Sequence, residues 1–374
     1  MKFIVSTSAL LKHISAISGV IPSNPVVPIL ENFLFEIEQG KLNITASDLQ
    51  TSIITEMDVE AEEDGSIAIP ARMLMDTLKN LPEQPVTFTI DFSSYSVEIS
   101  SDNGRYKLSG ENAADFPKVP ELGSADKVEL MTDTMASAIG YTLFSTSTDE
   151  MKPAMNGVFF SIDANEASFV SSDSHRLTRY TRKDITSERE ASMIVHKKAL
   201  QVLKSSMPSM NVPLTLEFNE SNAIFSFENV KLICRLIDER FPDYKNVIPA
   251  GNDNHIVLDR QEMIGSLKRL VIYANKSTNQ VRFSIKGNEL KVSSEDLDFS
   301  NEASERVFCE HDGADIEIGF NAKFLLEILN NIHSEKVTLQ LSEPGRAGLV
   351  VPKEIDGDED LLMLVMPIML HNYA

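Results

Sequence analysis

A five-residue pattern returns at domain length. FPKVP begins at Phe116, FPDYKNVIP begins at Phe241, and MPIML begins at Met366, so Pro117, Pro242 and Pro367 stand at two equal steps of 125 residues. A repeat of that length constrains the fold more than composition does, because each copy must be a similar structural unit. Other landmarks keep the step. IPARMLMDTLKNLP (69–82), VHKKALQVLKSSMP (195–208) and FNAKFLLEILNNIH (320–333) align, with Leu78 and Leu203 again 125 apart and Leu329 a further 126 on. ITASD, FVSSD and KVSSE end at Asp48, Asp173 and Glu295, at steps of 125 and 122, so small insertions or deletions separate the copies. Three homologous domains follow, with boundaries at 1–122, 123–250 and 251–374.

Within each copy the hydrophobic period switches in the same order. A helical window opens each one, at 6–18, 131–143 and 259–276, with Ser, Thr or Asp in the capping position and apolar residues three and four apart. Alternating strands come next, as in VRFSIKGNELKVSS (281–294) with a turn at Lys286-Gly287-Asn288. A second helix and further strands complete the copy. Each domain is therefore expected to be α+β, with two helices packed on antiparallel sheets of roughly eight strands.

The chain ends on LLMLVMPIML (361–370), ten uncharged residues in a protein of formal net charge −22. Ten is too few to span a bilayer, which takes about 20 in a helix. The run reads as a buried strand whose pairing Pro367 ends, leaving Ile368, Met369 and Leu370 beyond the ladder. With 42% apolar and 24% charged residues and no signal-peptide pattern, a cytoplasmic protein without a membrane anchor is expected. Cys234 and Cys309 are too few for a disulfide framework or a multi-cysteine metal site.

Net charge alone argues against nucleic acid, but its distribution does not. The six expected helices together carry +6, which leaves −28 on the rest of the chain. Basic residues fall seven apart, hence on one helix face, at Arg72 and Lys79, Lys197 and Lys204, and Arg269 and Lys276, with Lys198 beside Lys197. Such a surface attracts a polyanion through phosphates without reading bases, giving salt-sensitive, non-specific binding.

Enzyme patterns are missing: there is no GxxxxGK[ST], GxGxxG, GxSxG or HExxH. Ser174 and His175 are neighbours, but adjacent side chains on an extended chain face opposite ways. His13, His196 and His333 have no second ligand at helical spacing. EEDG (62–65) and DGDED (356–360) lack EF-hand spacing and read as acidic surface turns. The expectation is a non-catalytic protein without cofactor or metal; an acidic interaction scaffold that never meets DNA, or a hydrolase built around His175, are the competing readings.

The whole chain resembles the bacterial DNA polymerase III beta subunit family, the sliding clamps, through MKFIVSTSALLKHISAI, VVPIL (26–30), AADFP (113–117), NGVFF (156–160), SSDSHRL (171–177), RFPDYKNVIP (240–249) and the final VMPIML. The resemblance implies three tandem clamp domains, a head-to-tail homodimer closing a ring around double-stranded DNA, and partners that include the polymerase III alpha subunit and the clamp loader. It also implies a cleft for partner peptides. One part would be lined by Met155, Ser172, Ser174, His175, Arg176, Leu177, Pro242 and Val247, the other by Asn321, Phe324, Val365, Met366, Pro367, Ile368 and Leu370. Subunit contacts would join Arg105 and Leu108 to Ile272 and Tyr273. Met369 and Asn246 replace arginines common in the family, and the HNYA tail (371–374) extends past the usual end, where it is expected to cover part of the cleft.

Overall fold

The computed structural model describes residues 1–370. They form six successive modules of one plan, strand–helix–three strands. The first is β1 (Lys2–Ser6), α1 (Thr7–Ile17), β2 (Asn32–Glu38), β3 (Lys41–Ser47) and β4 (Thr51–Asp58), with a short β5 (Glu60–Ala61) appended. The second is β6 (Gly65–Pro70), α2 (Ala71–Asn80), β7 (Pro85–Asp91), β8 (Ser96–Ser100) and β9 (Arg105–Ser109). The third is β10 (Asp126–Met131), α3 (Thr132–Thr142), β11 (Gly157–Ile162), β12 (Ala167–Ser172) and β13 (Arg176–Arg182), and the fourth β14 (Ala191–His196), α4 (Lys197–Ser206), β15 (Pro213–Phe218), β16 (Asn222–Phe227) and β17 (Val230–Arg235). The fifth is β18 (Asn254–Asp259), α5 (Arg260–Leu270), β19 (Gln280–Lys286), β20 (Glu289–Asp296) and β21 (Asn301–Asp312), and the sixth β22 (Ile316–Asn321), α6 (Ala322–Asn330), β23 (Lys336–Leu341), β24 (Gly348–Pro352) and β25 (Glu359–Val365). Each 125-residue step is thus two modules.

Local chemistry sets the helix starts. Side chains of Ser6, Asp259 and Asn321 accept backbone N–H groups in the first turns of α1, α5 and α6, and the His196 ring does the same for α4, meeting donors that no carbonyl reaches. α5 stops at Leu270, short of the 276 read from periodicity. Val271 and Ile272 are β-branched, and Asn275 Oδ1 accepts from Ser277 N at 3.0 Å and Thr278 N at 3.3 Å, a local alternative to the helix.

Paired modules exchange their leading strands. β1 pairs with β7 of the second module while β6 pairs with β2 of the first; β18 and β22 make the same exchange with β23 and β19. One module cannot complete a sheet alone, so two are the smallest self-consistent unit. The sheets also run on from one repeat to the next, through β4·β17 and β13·β25. The chain accordingly packs as two compact units, Met1–Ala136 with Val195–Leu236, and Ser137–Ile194 with the residues from Ile237 onward. In the first, Phe3 and Phe88 stack at 4.7 Å beside Phe35. The second buries Phe160, Phe169 and Tyr180, and Phe283 with Phe320.

Acidic residues at 356–360 are not all surface turn. Glu359 and Asp360 lie in β25, where Glu359 accepts from Tyr180 Oη at 2.8 Å and Arg182 Nη1 at 2.5 Å, and Asp360 from Arg179 Nη2 at 2.5 Å. Register puts Glu359 opposite Arg182 and Asp360 diagonal to Arg179, two residues from the position opposite it, an arrangement invisible to a reading of one strand.

Candidate binding sites

The turn between β12 and β13 is built around Asp173. Its Oδ1 accepts from His175 N at 2.9 Å and Arg176 N at 2.7 Å, and Ser172 Oγ donates to Arg176 O at 2.7 Å. Ser174 adopts φ +79°, a left-handed conformation held by these bonds. His175 is pushed outward and its ring stacks on Phe324 of α6, centroids 5.8 Å apart. Ser174 Oγ donates to the Met155 sulfur at 3.4 Å and accepts from Lys152 Nζ at 3.0 Å. The chain leaving β25 is tied to the same place, Met366 N donating to His175 O at 2.9 Å.

Pro367 does not end the pairing. Ile368 N donates to Gly319 O at 2.8 Å, a bridge to β22 rather than to the previous partner β13. Proline removes one N–H and redirects the chain; the next residue bonds to a different strand. Gly319 permits this approach, since a Cβ there would lie 2.6 Å from Ile368 O and 2.8 Å from Leu370 Cδ2. Met155, Ser174, His175, Phe324, Met366, Pro367, Ile368 and Leu370 are thereby brought together in one region. Pro242 and Val247 are exposed on the segment that anchors through Phe241 and Tyr244 in the core cluster containing Leu177.

Several residues of the expected cleft present little to a ligand. Leu177 and Val365 are core, 3% and 0% exposed, on opposite faces of the β13·β25 pair, Leu177 beside Leu364 and Val365 beside Arg176, and both faces are covered there. Asn321 Oδ1 is engaged in capping α6, and Ser172 Oγ in the turn. Asn246 Nδ2 donates to Asp243 Oδ2 at 2.7 Å, and Met369 is exposed. The HNYA tail lies outside the described residues.

Of the basic helix residues, Arg72, Lys79 and Lys204 are exposed and Lys197 is half-buried. Lys198 Nζ is 2.5 Å from the Asp48 carboxylate. Arg269 forms a bidentate pair with Glu305, at 2.6 and 2.7 Å, which raises the guanidinium pKa still further. Lys276 lies in the turns after α5 and donates to Ile272 O. The seven-residue face therefore holds for α2 and α4 and fails for α5, because that helix is shorter than its apolar pattern.

Of the strand edges paired on one side only, those of β9 and β21 carry the residues expected at the subunit contact or stand beside them. β9 pairs only with β8, and β21 pairs with β18 only through Cys309–Asp312, leaving the edge of its first eight residues open. Around the first edge, Tyr106 and Met73 line a hollow of about 380 Å³ together with Leu81. Arg105 is exposed there, but Leu108 is 5% exposed and belongs to the core face of its sheet. Beside the second edge Ile272, Tyr273, Leu297, Phe299 and Phe308 are all exposed. A larger, polar hollow of about 810 Å³ mixes Arg282 and Lys291 with Glu295 and Glu302, so neither sign of ligand charge is favoured.

Three protein-family models tile the chain: the N-terminal, central and C-terminal domains of the DNA polymerase III beta subunit match residues 1–120, 129–243 and 245–369. The chain belongs to the DNA polymerase III beta subunit family. Curated relatives include the beta sliding clamps of Vibrio cholerae, 28% identical over 371 residues, and Escherichia coli, 29% identical over 371 residues, each covering 99% of this chain and 100% of the relative. Among solved structures, the Pseudomonas aeruginosa sliding clamp bound to griselimycin superimposes with a TM-score of 0.93 at 27% identity, and the beta subunit of Thermotoga maritima with 0.91 at 27%, each covering 99% of this chain and 100% of the other.

Beta subunits of this family are processivity factors. The geometry around Ser174 and His175 agrees with a binding role: the hydroxyl turns to a thioether and the imidazole to a phenyl ring, so nucleophile and base do not face each other. Among the described residues no three His, Cys, Asp or Glu side chains group as metal ligands, and no helix is long and apolar enough to cross a membrane. Sequence reasoning missed Met73, Tyr106, Leu297, Phe299 and Phe308. The run LDFS (297–300), apolar at alternate positions in a hairpin tip, was the one local signal for two of them.

Proposed function

We infer that this chain is the sliding clamp of bacterial DNA replication, a cytoplasmic homodimer that encircles duplex DNA and tethers the polymerase III alpha subunit, the clamp loader and other peptide-bearing partners. The observation that carries the reading is the tiling of the whole chain by three clamp-domain models in family order. We take 1–122, 123–250 and 251–374 as its domains and assign it neither catalytic activity nor a cofactor. The open edges support closure: β9 and the first eight residues of β21 each present unpaired backbone groups, and a strand-to-strand contact between copies satisfies both. Arg72, Lys79 and Lys204 are the favoured phosphate contacts, with half-buried Lys197 and with Lys198, Arg269 and Lys276, whose side chains are already engaged, secondary. The groove around His175 and Phe324 takes the partner peptide, with flexible thioethers of Met155 and Met366 adapting to several ligands. Griselimycin is the probe assigned to it.

Retention on DNA tests the function. Loaded onto a closed circle, the protein stays until the circle is cut, while its affinity for short duplexes is weak and falls with salt. Reversing Arg72, Lys79 and Lys204 to glutamate shortens retention without unfolding. Lys198 is left alone, since a glutamate there would face the 7%-exposed Asp48 carboxylate. Equal loss from closed and linear DNA would favour the scaffold that never meets DNA.

A further inference from the structure

Arg176 was expected to line the cleft, yet its side chain is committed inward. Nε and Nη2 donate to Asp173 Oδ2 at 3.0 and 2.9 Å, Nη2 reaches Phe144 O at 3.5 Å, and Nη1 donates to Glu327 Oε2. The guanidinium carbon lies 4.5 Å from the centroid of the Phe324 ring and 5.5 Å from that of Phe144. Four of the five N–H donors are used, two rings lie against the group, and the residue is 6% exposed. Such a side chain has little to offer a peptide. What it does is join three pieces of backbone: the Asp173 turn, the 3-10 turn Leu143–Ser145, and α6.

Glu327 is the α6 end of that link. It stands three residues from Phe324, on the same side of the helix, and Phe324 is the ring on which His175 stacks. We propose that Glu327 is a positioning residue for the peptide groove: acting through Arg176, it holds α6 against the Asp173 turn, and so fixes where the stacked Phe324 and His175 rings stand as a wall of the groove. The proposal rests on reading this groove as the partner-peptide cleft. Glu327 itself is half in solvent, and Arg176 keeps both of its bonds to Asp173 Oδ2 when Glu327 is removed, so the fold does not depend on the link. Affinity does, because a wall that is no longer held in its bound position must be ordered by the ligand.

The test is griselimycin affinity of the full-length dimer, with melting temperature and mass followed on the same samples. Glu327→Ala is expected to weaken binding by about tenfold, within the range seen when one member of a contacting network is removed, with fold and dimer intact. Glu327→Asp, which can still accept from Arg176, recovers most of the loss. Combining Glu327→Ala with Arg176→Lys, which keeps the charge but loses the fork, costs little beyond the worse single change, because both break one link. A purely structural role would lower the melting temperature and leave the two changes additive. Wild-type affinity in Glu327→Ala, with Phe324→Ala weakened as a control, overturns the inference and leaves the cleft standing. A wild-type protein that does not bind griselimycin, with Phe324→Ala no different, overturns both.

Discussion

His196 caps α4 only while it is neutral. Its Nδ1 accepts from Lys198 N at 3.1 Å, and burial first, then the charges of Lys197 and Lys198, hold its pKa below the ordinary imidazole value, Asp48 opposing weakly. A proton would remove the acceptor and place positive charge at a helix N-terminus. Because the folded pKa lies below the unfolded one, protons bind preferentially to the unfolded chain. Stability is complete above the unfolded value of about 6.5 and is lost as pH falls through the folded one. Asparagine caps without titrating, so His196→Asn should lose less melting temperature than the wild type between about pH 7.5 and about pH 5.5. Part of the fall persists, since burial depresses His13 as well, its Nδ1 2.7 Å from Thr55 Oγ1. Identical falls in the two proteins would place the acid sensitivity elsewhere.

At the scale of the element, the segment after β25 belongs to two strands at once, tied to β13 through Met366 and to β22 through Ile368. Gly319→Ala puts a methyl group against Ile368 O and must displace the segment, while β22 keeps its pairing with β19. Burying one aliphatic side chain is worth about 1.5–3 kcal/mol, and about 1.4 kcal/mol is tenfold in affinity. Gly319→Ala and deletion of residues 368–374 should therefore each weaken griselimycin at least about tenfold with a modest loss of stability; full affinity in both would make the apolar terminus a structural strap and not a cleft wall. None of this pairing was legible in the sequence, because a one-residue bridge has no period. Periodicity did expose the helices, since their apolar stripes recur three and four apart, and the 125-residue step exposed the repeat. It overran α5, where the pattern continued past the point at which Asn275 offered its own turn. The exchange of leading strands was equally hidden: alternation fixes which face of a strand is buried, not which strand it joins. Cleft residues came through the resemblance, and that route could not tell exposed His175 from enclosed Arg176, whose partner Glu327 is 151 residues away.

For the whole molecule, the open edges at β9 and β21 differ in chemistry, and that difference predicts how copies assemble. One carries Tyr106 and Met73 over a hollow; the other carries Ile272, Tyr273, Phe299 and Phe308, the last 68% exposed. Exposed apolar groups of this size mark an interface, and unlike patches meet head to tail, closing a ring or growing a filament. Closure at two copies gives a particle of twice 41.6 kDa. Tyr106→Asp spoils one patch and Ile272→Asp the other, so each variant alone should sediment as a monomer at micromolar concentration. Their mixture should not. A Tyr106→Asp copy retains its Ile272 patch, an Ile272→Asp copy retains its Tyr106 hollow, and these two fit, giving a dimer with one good junction and one broken. Two junctions in a closed ring reinforce each other, and one alone lacks that gain, so the mixed dimer should dissociate faster than the wild type and should be lost from circular DNA as readily as from linear. A mixture that stays monomeric would mean that the two patches do not face each other, and a mixture held on circles like the wild type would mean that retention does not come from closure.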